Sequence, residues 1–120
     1  MPRPLPLLED TSPICCAPLD APQPMSASDA VALAVRLKAL ADPTRLQLLD
    51  HLLGLPGQEA STGELARHVG LSDPTVSHHL KTLEAAGLLT KERHGMSVHH
   101  RVLPEAIHAI ARALHINACC

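Results

Sequence analysis

Residues 71–89 read LSDPTVSHHLKTLEAAGLL and carry the strongest structural pattern in this chain. The hydroxyl of Ser72 can cap the N-terminus of a helix, and Pro74 is tolerated in the first turn because its backbone nitrogen needs no partner there. Gly87 can end the same helix, since glycine readily takes the left-handed conformation found at helix C-termini. The segment therefore predicts one helix with a defined start and end.

The two faces of this predicted helix differ in polarity. Its apolar stripe follows the i, i+4, i+7 spacing of a buried helix face and consists of Val76, Leu80 and Leu83. The opposite face carries hydroxyl, imidazole and ammonium groups, which reach base edges and phosphates from a helix in a DNA major groove. The candidate DNA-binding residues on it are Ser72, Thr75, Ser77, His78, His79 and Lys81. An ordinary solvated helix face would look similar, and the two histidines also fit a role in packing the helix.

Two strand-like runs follow directly, at residues 88–93 and 98–103. The connection between them contains Gly95, which supplies the positive φ that a hairpin turn commonly needs. We expect Arg93 to contact a DNA phosphate near the hairpin tip. The other basic residues of the hairpin are Lys91 and Arg101. A helix followed by a basic hairpin is typical of a winged helix-turn-helix, so we predict a mainly α fold of the α+β type, with about five helices and a two-stranded wing.

The composition of the chain limits the classes of function that can be expected. The chain has 120 residues, 46% of them hydrophobic, which predicts one domain with a modest core that a partner subunit would help to stabilise. It has no aromatic residue on which bases could stack, so single-stranded nucleic acid is not the expected target. The net charge of −2 argues against non-specific binding, yet four basic residues outnumber two acidic ones between positions 81 and 101. We expect specific binding to double-stranded DNA.

The chain divides into three parts. Residues 1–25 contain seven of the eleven prolines and predict an extended N-terminal arm. Residues 26–116 are the predicted DNA-binding and dimerisation domain, and residues 117–120 are a short tail. Because the N-terminus has no continuous apolar segment and no run reaches membrane-spanning length, we expect a cytoplasmic protein with reduced cysteines and no membrane partner.

Four further helices are predicted. Ser26 or Ser28 caps the first, Asp42 separates it from the second, and Ser61 with Glu64 forms a capping box for the third. The expected core stripes of the first two helices are Leu33, Leu37 and Leu40, and Leu46, Leu49 and Leu53. The last helix, residues 104–116, is expected to bury Ile107, Ile110, Ala111 and Leu114. Its small-residue flank would let a second helix approach closely, so we expect a homodimer through the first and last helices. This flank consists of Ala106, Ala109 and Ala113.

Four segments form a recognisable set. They read LKALADPTRLQLL at residues 37–49, ELA at 64–66, LSDPTVSHHL at 71–80 and GLL at 87–89. Together they resemble the ArsR/SmtB family of metal-responsive winged-helix repressors, over roughly residues 30–116. The resemblance implies a homodimer that binds a palindromic operator when metal-free and releases it when a metal or metalloid binds. Members of that family bind their inducers at different sites, so the residues that bind the inducer have to be identified from this sequence itself.

The four cysteines occur as two adjacent pairs, Cys15 with Cys16 in the arm and Cys119 with Cys120 at the C-terminus. Thiolate sulfur binds soft ions such as As(III), Sb(III), Cd(II) and Zn(II) far better than hard cations. Three thiolates in a trigonal pyramid would hold As(III), and four in a tetrahedron would suit zinc or cadmium. Adjacent cysteines strain a chelate ring, so a third sulfur has to come from the other pair or the other subunit. We predict As(III) or Sb(III) as the inducer and no organic cofactor.

The sequence departs from two arsenic-sensing patterns that the family suggests. In one, cysteines lie beside the helix before the recognition helix, but the aligned positions here are Ser61, Gly63 and Ala66. In the other, an N-terminal cysteine pair joins a cysteine in the loop after the second helix, but residues 54–58 contain no thiol. The third ligand is therefore expected to be Cys119 or Cys120.

Other functions stay open on the sequence alone. Zinc sensors of the family bind metal on the last helix, where His108 and His115 could share a face, but the Asp-x-His motif is missing. A vicinal disulfide could make the chain a redox-sensing repressor, although strain in such a bond disfavours this. A metal buffer that keeps the fold only for dimerisation is a third alternative. An enzyme is not expected, because no nucleophile has a base and an orienting carboxylate at a recognisable spacing.

Overall fold

The computed structural model describes residues 24–114, which form five α-helices and three β-strands. The elements in chain order are α1 Ala27–Leu40, α2 Pro43–Leu53, β1 Glu59–Ser61, α3 Thr62–Val69, α4 Asp73–Ala85, β2 Leu89–His94, β3 Ser97–Val102 and α5 Pro104–Ala113. Residues 1–23 and 115–120, which hold all four cysteines, the C-terminal tail and most of the predicted arm, lie outside the described residues. None of the described helices is long and apolar enough to cross a membrane.

Side-chain caps start four of the five helices at the positions expected from the sequence. In each case the side-chain oxygen of the cap accepts a hydrogen bond from the backbone N–H three residues later, at 3.0–3.4 Å. These caps are Ser26, Asp42, Ser61 and Ser72. Each satisfies one backbone donor that has no partner within the helix.

The end of α4 turns the chain directly into the sheet. Gly87 has φ +77°, and its N–H donates to the carbonyl of Glu84 at 2.9 Å. The N–H of Leu88 donates to the carbonyl of Leu83 at 3.0 Å, which completes a Schellman motif. This turn joins α4 to β2 without an intervening loop and so holds the hairpin next to the helix.

The hairpin predicted from the sequence is present, and a third strand extends it. The strands are antiparallel in the order β1-β3-β2, with Ala60 opposite His100. An ion pair joins β1 to the central strand β3, because the guanidinium of Arg101 donates to Glu59 Oε2 at 2.8 and 3.2 Å. A strand of three residues is too short to show an alternating pattern, and its partner strand lies about forty residues further along the chain.

The core lies where α2, α3, α4 and the sheet meet. Its largest fully buried side chains are Leu48, Leu52, Leu65, Val76, Leu80, Leu83, Leu88, Leu89 and Val102. The predicted stripe of α4 is thus confirmed. The predicted stripe of α2 is wrong at two of three positions, because Leu46 and Leu53 are 51% and 38% exposed. Five leucines on this helix allow two faces, and packing against α3, α4 and the sheet selects the one that carries Leu48, Leu49 and Leu52.

The two outer helices bury less than the sequence suggested. On α1 only Ala39 is buried, while Leu37 is exposed. On α5 Ala106 is buried in the core, so it does not belong to an outer flank with Ala109. Leu114 is exposed, contrary to expectation. Because Ala106 faces inward, the helix is turned relative to the predicted arrangement, and its two isoleucines, Ile107 and Ile110, only partly contact the core.

Candidate nucleic-acid interface

The helices α3 and α4 form a helix-turn-helix, and α4 is its second helix. Three residues, 70–72, connect them, and Gly70 at φ +72° ends α3. The buried stripe of α4 anchors the helix in the core, so that its opposite face is open to solvent. In this class of motif the second helix enters the major groove with its N-terminal residues toward the bases.

Two hydroxyl groups lie together at the N-terminus of α4. The Oγ of Ser72 accepts from the backbone N–H of Thr75 at 3.4 Å and donates to Thr75 Oγ1 at 2.9 Å. Both residues are exposed, and so is His78 one turn further along. The structure therefore places Ser72 and Thr75 at the end of the helix that would approach DNA bases, with His78 in the middle of the helix.

The side chain of His79 lies away from Ser72, Thr75 and His78. Its Nδ1 is 3.3 Å from Arg45 Nη1 and 3.9 Å from Asp42 Oδ2, and its side chain is only 18% exposed. Arg45 also donates from Nε to the carbonyl of Ala39 at 2.6 Å. The geometry agrees with the packing role considered for this histidine, because its ring points at the junction of α1 and α2.

A basic cleft separates α4 from the hairpin wing. Its volume is about 430 Å³, and α3, α4, β2 and β3 all contribute to its walls. The lining residues are Thr62, Ser77, Lys81, Glu84, Lys91, Arg93, Val98 and His100. Three predicted DNA-binding residues, Ser77, Lys81 and Arg93, are thereby brought together. Three cations face one carboxylate, and Lys91 Nζ lies 3.9 Å from Glu84 Oε2, so the cleft attracts anions.

His100 is a residue of this cleft that was not among the predicted DNA-binding residues. It is 5% exposed, and its Nε2 lies 2.8 Å from Thr62 Oγ1, whereas its Nδ1 is buried without a hydrogen-bond partner. Burial lowers the pKa of His100 below its ordinary value, so the neutral ring is favoured. In the sequence, His100 stands two residues from Val98 and two from Val102, and residues at this spacing share one face of a strand. This spacing was the available signal that His100 faces inward.

The outer face of the wing carries a separate set of charges. Arg101, one of the basic residues expected in the wing, pairs with Glu59 there, and this hydrogen bond lowers the pKa of Glu59. His94 stands edge-on to His99 with ring centroids 4.7 Å apart, and His94 Nε2 lies 3.7 Å from Glu92. Arg101 is therefore paired with a carboxylate and lies outside the cleft beside α4.

The predicted metal ligands, Cys15, Cys16, Cys119 and Cys120, all lie outside the described residues. Within residues 24–114, no three histidine, cysteine, aspartate or glutamate side chains come together in a way that could hold a metal ion. Of the two histidines considered for a zinc site on the last helix, His108 is exposed on α5 and His115 lies beyond the described range.

The element order and the exposed face of α4 place the protein in the class of winged helix-turn-helix DNA-binding proteins. A family model described as a helix-turn-helix domain matches residues 40–92. The transcriptional regulator YgaV of Escherichia coli is 39% identical over 89 residues, which are 74% of this chain and 85% of that protein. The arsenical resistance operon repressor of Staphylococcus xylosus is 40% identical over 63 residues, 52% of this chain and 58% of that protein.

Solved structures share the same architecture. An ArsR-like transcriptional regulator from Rhodococcus sp. RHA1 superposes with a TM-score of 0.64 and 29% identity, over 73% of this chain and 80% of that one. The homodimeric winged helix-turn-helix DNA-binding domain Mb0332 from Mycobacterium bovis gives a TM-score of 0.60 and 27% identity, over 79% and 89%. The chain belongs to the ArsR family of winged-helix transcriptional regulators. This family consists of DNA-binding regulators, not of enzymes.

Proposed function

We propose that this protein is a homodimeric transcriptional repressor that binds operator DNA when metal-free and dissociates when cysteine thiolates bind As(III) or Sb(III). The observation that carries the DNA-binding part is that α4 has both a hydroxyl pair and a basic cleft beside it. Ser72 and Thr75 form the hydroxyl pair at the N-terminus of the helix, and Ser77 and Lys81, further along, line the basic cleft beside the wing. Base contacts at one end and phosphate contacts at the other are what a recognition helix requires.

The dimer is supported by apolar surface on the two outer helices. Val31 and Val35 lie one turn apart on α1 and are 66% and 49% exposed. A second cavity of about 430 Å³ separates α1 from α5, with Leu33 and Ala109 among its lining residues. Exposed apolar surface of this kind marks an interaction site, and Mb0332 is homodimeric. The two helices expected from the sequence therefore remain the proposed dimer surface.

The inducer is inferred from sulfur chemistry. The proposed ligands are Cys15 and Cys16 with Cys119 or Cys120, since soft thiolates suit trivalent arsenic and antimony. The likeness to an arsenical resistance operon repressor supports the same choice. Two related functions use the same cysteines, namely sensing of zinc or cadmium and sensing of oxidants through a disulfide.

The DNA-binding face is tested by the Lys81→Ala variant, with Lys38→Ala as the matched control. Both lysines are exposed, but Lys38 lies in the last turn of α1, away from the cleft. Each lost phosphate contact reduces the slope of log affinity against log salt by about one, so Lys81→Ala should reduce it by about two for a dimer. Fluorescence anisotropy measures this slope. Equal slopes for the two variants would rule out the assignment of this face.

The inducer is tested by release of the reduced protein from a duplex taken from the DNA beside its gene. Arsenite, zinc and peroxide are added in separate titrations. Release by arsenite at the lowest concentration is the expected result. Release by zinc or by peroxide alone would replace the proposed inducer with one of the two alternatives while leaving DNA binding in place.

A further inference from the structure

The cleft between α4 and the wing has the composition and position of an anion-binding site. We propose that it is a phosphate site, which holds one backbone phosphate of duplex DNA and which free inorganic phosphate occupies in competition with DNA. The DNA part rests on the proposed function, whereas binding of free phosphate does not. The assignment adds Lys91, Thr62 and His100 to the residues that form the proposed site.

The charge of the cleft is the first argument. Lys81 projects into it from α4, and Lys91 and Arg93 project from alternate positions of β2, so cations line two opposite walls. The only carboxylate among the lining residues is Glu84, whose oxygen is 3.9 Å from Lys91 Nζ. At that distance and with both side chains partly exposed, the pair is weak, so an incoming anion can take over the lysine.

The floor of the cleft is the second argument. His100 is 5% exposed and one of its ring nitrogens has no hydrogen-bond partner, which is costly for a buried polar group. Its other nitrogen is held by Thr62 Oγ1 at 2.8 Å, and this fixes the ring at the bottom of the cleft. The hydroxyl of Ser77 on the adjacent wall supplements the three cations with a neutral donor. An ordinary cationic surface patch has no such buried polar floor.

The position of the cleft favours phosphate over a base edge. The cleft residues of α4 are Ser77, Lys81 and Glu84, which lie in the middle and second half of the helix. Base contacts come mainly from the N-terminal residues of a recognition helix, here Ser72 and Thr75. If the major groove of a DNA duplex receives that end of the helix, one backbone of the duplex passes between the helix and the wing, where the cleft lies.

Free phosphate is tested first, on the full reduced protein without DNA. Amide signals in a ¹H–¹⁵N NMR spectrum are followed while sodium phosphate is added, with sodium chloride of equal ionic strength as the reference. Phosphate, but not chloride, should shift the signals of Thr62, Lys91 and His100. The Lys91→Ala variant, which changes an exposed side chain, should lose these shifts, and Lys38→Ala should keep them.

The DNA backbone is tested with the same two variants by fluorescence anisotropy. Lys91→Ala should reduce the salt slope, by at most about two for a dimer because the two clefts hold two phosphates, and phosphate should displace DNA at a lower ionic strength than chloride does. Identical responses to phosphate and chloride, or an unchanged slope for Lys91→Ala, would each overturn the proposal. If the wild-type protein bound no duplex, the proposed function would fail, while the NMR titration would still decide whether the cleft binds phosphate.

Discussion

Arg45 Nη1 lies 3.3 Å from His79 Nδ1 and so joins α2 to the recognition helix. The same guanidinium donates from Nε to the carbonyl of Ala39 at the end of α1, at 2.6 Å. One planar side chain thus contacts both the helix proposed to dimerise and the helix proposed to read DNA. This contact adds to the buried stripe of α4, which sets the face that the helix exposes.

Replacing Arg45 tests this link. Arg45→Ala should lower the free energy of unfolding by about 1.5–3 kcal/mol, the range for hydrogen bonds that involve a charged group. Arg45→Lys should recover only part of that loss, because a single ammonium group cannot reproduce the fork that reaches Ala39 and His79 together. Urea denaturation at fixed protein concentration measures both. Full recovery by lysine would show that charge alone, and not the fork, holds the helices.

The buried imidazole of His100 predicts a pH dependence of stability. Because burial lowers its pKa in the folded protein, the unfolded chain takes up a proton first as the pH falls below about 6.5. The contribution of neutral His100 is therefore complete above that pH and is lost below it, by at most about 1.4 kcal/mol per pH unit.

The His100→Gln variant isolates this contribution, since glutamine does not titrate. Its unfolding free energy should fall less steeply than that of the wild type between about pH 7.5 and 5.5. His78→Gln, at an exposed position of α4, serves as the control and should keep the wild-type dependence. Parallel curves for His100→Gln and the wild type would mean that His100 does not sense the pH in this range.

Neighbouring leucines at the end of α2 test the orientation of that helix. Leu52 is fully buried, whereas Leu53 is 38% exposed. Leu52→Ala should cost about 2–5 kcal/mol through lost burial and a residual cavity. Leu53→Ala should cost less than about 1 kcal/mol. Thermal or urea unfolding compares them directly, and the reverse order of the two losses would restore the helix face that the sequence first suggested.

Local rules were sufficient for much of the fold. Features that depend on residues close together in the chain could be predicted from the sequence. They are the helix caps Ser61 and Ser72, the buried stripe of Val76, Leu80 and Leu83, and the turn at Gly87. The hairpin wing followed from the same kind of evidence. The proposed DNA-binding face of α4 could be predicted as well, because the opposite face of the helix is clearly apolar.

Features that depend on distant parts of the chain could not be read in this way. The strand β1 exists because it pairs with β3, and the buried face of α2 is chosen by its neighbours. In the sequence His79 resembles its exposed neighbour His78, but in the fold it lies beside Arg45, thirty-four residues earlier. The basic cleft likewise requires Lys81 and Lys91 to face each other across two elements. Spacing along the chain carries no signal for such pairs.

Operator release by the Cys15→Ser, Cys16→Ser double variant shows whether the N-terminal cysteine pair senses the inducer. Reduced wild-type and variant proteins are bound to the same fluorescent duplex, and arsenite is added while anisotropy is recorded. The two proteins should bind DNA with equal affinity, because the proposed recognition surface lies on α4 and the wing. Arsenite should release the wild type and leave the variant bound. Release of both proteins at the same arsenite concentration would contradict the proposal that the N-terminal cysteine pair senses the inducer.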